Sequence, residues 1–128
     1  MNVLIVALDT VIPAELPDAE VLVVAPALNS WLRHWLSDDD AARRRAEERA
    51  AVLVDGLVRN GARARGRVGD ADPVQAIADA LPTFPADRIV IAARLERSTR
   101  RADELVTRAR SRFALPIVRA DESLPRAA

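Results

Sequence analysis

Five short stretches of the chain carry a strand signal. Asn2–Leu8 (NVLIVAL), Glu20–Ala25 (EVLVVA) and Arg88–Ala93 (RIVIAA) are continuous apolar runs rich in β-branched residues. Continuous rather than alternating hydrophobicity indicates burial on both faces, as in a parallel sheet. Ala62–Val68 (ARARGRV) alternates small and charged residues and reads as a half-exposed or edge strand. Pro116–Ala120 (PIVRA) is a short strand whose leading proline suits an edge.

Helical spacing lies between these runs. Ser37 is placed to cap a helix, with Asp38, Asp39 and Asp40 at its positive end and Asp40 at the capping-box position. The same helix carries Ala46, Ala50, Leu53, Val54, Leu57 and Val58 as its apolar positions and ends at Asn60–Gly61. Asp72–Pro73 opens a second helix, with Gln75 as a capping partner, a Val74, Ile77, Ala78, Leu81 stripe, and Pro82 as a stop. A third helix is expected to start near Ser98 or Thr99 and to run through Leu105, Val106, Ala109 and Phe113. Strands alternating with helices predict an α/β fold with a parallel sheet.

One connection does not fit the pattern. Eleven residues, including Pro13 and Pro17, separate Leu8 from Glu20. A parallel crossover takes about a dozen residues with its helix, so the first crossover helix is expected to be shortened or absent. The Trp31, Leu32, Trp35, Leu36 segment is a candidate cover for the gap. Ordinary core with an irregular connector, or cover by a partner subunit, are the other readings.

Composition narrows the chemistry. The 128 residues are one domain's length, and 50% hydrophobic with 30% charged residues excludes a disordered chain. Residues 1–122 are expected to form a single domain and 123–128 a flexible C-terminal tail. The 19 basic residues balance 19 acidic ones, which argues against nucleic-acid or anionic-membrane binding. All the bases are Arg, so Schiff-base and P-loop lysine chemistry is excluded; there is no Cys and one His, His34. No targeting or membrane-spanning segment is recognisable, and a cytoplasmic location is expected.

Four segments together resemble the universal stress protein family: VLIVALDT with Asp9 closing the first strand, GDADPVQAIADA at 69–80, ADRIVIAA at 86–93, and the ending SRFALPIVRA. The likeness runs over residues 2–120. It implies a doubly wound five-stranded sheet in the order 3-2-1-4-5 with helices on both faces, and a homodimer through the last strand, at Leu115, Ile117, Val118 and Arg119. Many members of that family bind ATP through a Gly-rich signature after the fourth strand. The corresponding segment here, ARLERSTRRADELV, has no Gly, and none follows Gly69. Glycines serve there to expose N–H groups to phosphate at a helix N-terminus. The resemblance therefore implies the branch that does not bind ATP, with Asp9 alone carried over by position.

The candidate ligand residues are Asp9, Thr10, Val11, Ala25, Arg94, Arg97, Ser98 and Arg100. Ligands sit outside the carboxyl ends of such strands, where Asp9 lies. Arg94, Arg97, Arg100 and Arg101 crowd a helix N-terminus that disfavours positive charge, so an anion would relieve them; the competing reading is a solvated face neutralised by Glu96, Asp103 and Glu104. Asp70 and Asp72 read as a capped helix start, His34 as a packed or capping residue, and Asp38–Asp40 as a helix-start charge run rather than a metal site. No nucleophile–base pair is visible, so no catalytic residue, metal or cofactor is expected. The leading functional expectation is a non-enzymatic, dimeric stress-response or regulatory domain. A nucleotide or anion sensor using Arg side chains, and an enzyme on a nucleotide-binding fold, are the alternatives.

Overall fold

The computed structural model describes residues 1–13, 16, 18–28 and 39–120, without the side chains of residues 39 and 95–99. The Trp31–Leu36 segment, His34, Ser37, Asp38 and the tail from 121 lie outside the described residues. The order is β1 (Asn2–Ala7), β2 (Glu20–Pro26), α1 (Asp39–Arg59), β3 (Arg63–Gly69), α2 (Pro73–Ala80), β4 (Arg88–Ala92), α3 (Leu95–Arg112) and β5 (Ile117–Ala120). The strands form one parallel sheet ordered β3-β2-β1-β4-β5, as expected.

The pleat divides the apolar runs between two cores. Val3, Ile5, Val21 and Val23 face α1, where Ala46, Ala50, Leu53 and Leu57 meet them. Leu4, Val6, Leu22 and Val24 face α2 and α3, against Val74, Ile77, Leu105 and Ala109. A strand in the middle of such a sheet has no polar face, which is why its sequence does not alternate.

None of the described residues between β1 and β2 is helical. Val11 and Leu16 of this connector are instead buried in the α1-side core. Ile12 lies against Gly56 of α1 so closely that a Cβ there would stand 2.1 Å from the Ile12 Cδ1. The missing side chain at 56 is what lets an irregular segment lie beside a helix. Gly61, at φ 96°, turns the chain out of α1, and the Ala62 N–H closes back on the Leu57 carbonyl at 3.0 Å.

Several local details differ from expectation. Helix α3 begins at Leu95 rather than near Ser98, because the N–H of Arg94, its N-cap residue, is held from outside the helix by Asp9. The Gln75 amide donates to Asp79 Oδ1 at 2.8 Å and does not serve the cap, which the Asp72 carboxylate supplies by accepting from the Val74 N–H. Asp103 pairs with Arg119 on β5 at 2.8 Å, a partner that spacing along the helix does not show. Val54 is half-buried and packs against the α1-side core, whereas Val58 is exposed, off the buried stripe of α1.

Candidate site at the carboxyl end of the sheet

Strands β1, β2 and β4 are neighbours in the parallel sheet, so their carboxyl ends lie side by side. The Ala92 carbonyl accepts from the N–H groups of Leu8 and Asp9 at 3.0 and 3.1 Å, which holds the β1 exit beside the end of β4. Asp9 then turns its carboxylate across the exit of β4, and Oδ2 accepts from the Arg94 N–H at 3.0 Å. A negative group at the start of α3 also complements the helix dipole. Asp9 thus does a structural task in the chain itself, at the position where the family resemblance places a ligand contact.

Arg49 of α1 completes the arrangement. Its Nε donates to the Ala7 carbonyl at 3.2 Å, and its Nη2 to the Pro26 carbonyl. One planar guanidinium therefore spans the carboxyl ends of β1 and β2. Burial pushes its pKa down, the Asp9 carboxylate raises it again, and the Arg101 charge lowers it. A guanidinium is basic enough to stay protonated at neutral pH through such opposing influences.

Arg49 was not among the residues singled out from the sequence, yet a signal was present. It lies three residues after Ala46 and four before Leu53, on the stripe that α1 buries. A charged residue at a core position of an amphipathic helix must find partners, and strand-end carbonyls are the partners in reach.

The other candidates are scattered around these strand ends. Thr10 is half-buried at the β1 exit, whereas Val11 and Ala25 are packed in the α1-side core. Arg94 is half-buried and Arg100 exposed; Arg97 and Ser98 fall in the first turns of α3, their side chains outside the description. Beside α2 and α3, Leu28, Pro73, Arg101, Glu104, Leu105 and Arg108 line a shallow cavity. Arg108 reaches both Asp72 carboxylate oxygens at 3.4 Å, so the start of α2 is already matched with positive charge.

No family model and no curated protein matches this chain. Among the described residues, no group of three His, Asp or Glu side chains is placed to hold a metal ion, and no helix is long and apolar enough to cross a membrane.

The residues named for the last strand divide by face. Ile117 is buried against α3, Val118 points to the other face at 42% exposure, Leu115 is half-buried before the strand, and Arg119 is tied to Asp103. The backbone orientation follows from two bonds. Ile89 N–H donates to the Pro116 carbonyl and Ala93 N–H to the Ala120 carbonyl, so the even positions face β4 and Ile117 and Arg119 turn their backbone groups outward. The outward Ile117 carbonyl already accepts from Arg110 Nη2 at 2.8 Å.

Proposed function

We propose that the chain is a non-enzymatic domain of the universal stress protein type, a dimeric stress-response or regulatory component that does not hold ATP in that family's usual way. The supporting observation is the guanidinium of Arg49 laid across the Ala7 and Pro26 carbonyls, where the crevice at the carboxyl ends of β1 and β2 would open. Asp9, spent on the start of α3, points the same way. With the glycines absent after β4 and these two groups engaged internally, little remains at this end to cradle a triphosphate. The dimer would form through β5, exchanging the Arg110 contact on the Ile117 carbonyl for a backbone bond from the second copy.

A second reading draws on the same region. Arg49 and Arg101 are close enough to depress the Arg49 pKa, and Arg94 and Arg108 lie at the same end of the sheet. Such a concentration of guanidinium groups favours a small anion held by side chains.

Native mass spectrometry with and without Mg-ATP separates the two. The expected spectrum is a dimer with unchanged mass in both conditions. A stoichiometric nucleotide adduct, lost when Arg97 and Arg100 are both replaced by Ala, would transfer the assignment to the sensor.

A further inference from the structure

Strand β3 ends the sheet on the side away from β5, and among the described residues it pairs only with β2. The Arg63 N–H donates to the Ala19 carbonyl, and the Gly69 carbonyl accepts from the Ala27 N–H. The odd positions thus spend their backbone groups on β2. By the alternation of a parallel ladder, Ala64, Gly66 and Val68 present theirs to the open edge. Three consecutive outward positions make a longer template than β5 offers.

The two faces of this edge differ in chemistry. Ala64, Gly66 and Val68 look toward α1, and beyond them two shallow grooves run between strand and helix. Ala50, Ala51 and Val54 wall one, with Glu47 and Arg67 at its rim; Val21 and Val58, the latter 52% exposed, wall the other, with Glu20, Arg63 and Arg65 at its rim. The opposite face carries Arg63, Arg65 and Arg67 in register. Arg63 pairs with Glu20 at 2.8 Å, and the Arg65 guanidinium lies 5.6 Å from the Phe84 ring centroid. Arg67 is exposed and makes no ion pair with any described residue.

We propose that the open edge of β3 docks an extended acidic peptide segment, added as a further parallel or antiparallel strand. Its acidic side chains lie beside Arg65 and Arg67, and its alternate apolar side chains enter the grooves beside α1. Charge selects this occupant over a second copy of the chain. A two-fold axis perpendicular to the sheet would leave both arginine rows on one face, with like charges opposed. A pleated polypeptide is favoured over a nucleic acid because the edge alternates N–H donors with carbonyl acceptors, and a phosphodiester backbone, which only accepts, leaves those carbonyls unpaired.

The test is fluorescence anisotropy with a labelled seven-residue peptide of alternating Glu and Val, matched to the seven residues of β3, and with its Lys and Val counterpart. The acidic peptide is expected to bind about tenfold more tightly or better, the scale of two partly exposed ion pairs. The double variant Arg65→Glu with Arg67→Glu is expected to reverse that preference. Ala64→Pro removes an outward N–H without cutting a bond to β2, and is expected to weaken binding; thermal unfolding checks that it folds. In the unaltered protein, added peptide is expected to slow hydrogen exchange at Ala64, Gly66 and Val68. Equal binding of the two peptides, indifference to the charge reversal, or binding without protection at those amides would overturn the proposal. So would displacement of the peptide by a dT oligonucleotide that Ala64→Pro still binds, since that describes a phosphate surface.

Discussion

β3 and β5 both terminate the same sheet, but they are closed by different means. β5 spans four residues, and Arg110 already occupies the outward carbonyl of Ile117. β3 spans seven, keeps three residues' outward groups open, and is guarded by charge alone. An edge capped by a side chain resists any strand until that contact breaks. An edge guarded by one sign of charge repels its own kind and admits the opposite sign. The same problem, unpaired backbone at a sheet edge, thus has one hydrogen-bonded and one electrostatic solution at the two ends of one sheet.

The most disruptive test of this contrast is to weaken what backs each edge. Leu53, fully buried between α1 and the sheet, is expected to cost about 2–5 kcal/mol when replaced by Ala, measured by urea unfolding. Hydrogen exchange should place the largest local loosening at β3. A loss of the same size in both edges would mean that α1 stabilises the sheet as a whole. Next comes Arg49→Ala, which leaves the Ala7 and Pro26 carbonyls without their donor and should cost about 1.5–3 kcal/mol in the same measurement. A change near zero would show that water replaces the guanidinium readily and that the crevice is open after all.

Arg110→Ala is expected to cost about 0.5–1.5 kcal/mol and to raise the dimer fraction in light scattering, because it uncovers the Ile117 carbonyl. An unchanged assembly state would place any dimer contact away from β5. The finest comparison uses the two edge ion pairs. Arg119–Asp103 has one partner only 16% exposed, whereas both Arg63 and Glu20 are well exposed at 73% and 45%. Asp103→Asn should therefore cost about 1 kcal/mol and Glu20→Gln less, with only the second effect vanishing in high salt. The reverse ranking would show that the pair on β5 adds nothing to its closure.

Much of the fold was legible because its determinants are local. The β-branched runs at β1, β2 and β4 announce burial on both faces, and Asp72–Pro73 announces a helix start that the Asp72–Val74 bond realises. The eleven-residue connector was legible as a gap for the same reason, since chain length limits what can be built. The start of α3 was misplaced by about one turn because its N-terminus is held by Asp9, 85 residues away, rather than by a neighbouring Ser or Thr. The pairing of Asp103 with Arg119 was invisible on the same ground: proximity along a helix is visible in sequence, and proximity to β5 is not.

What the sequence determined by itself is the alternation of elements, the two-sided burial of the central strands and the charged character of the β3 edge. Each follows from periodicity, capping and composition within a few residues. Tertiary structure alone decided that Arg49 would span the ends of β1 and β2, that Ile12 would seat on Gly56, and that Arg110 would cap β5 while β3 stayed open. A buried guanidinium or an unpaired carbonyl takes whatever partner the packed chain brings within hydrogen-bond reach, and only closing the sheet determines which partner that is.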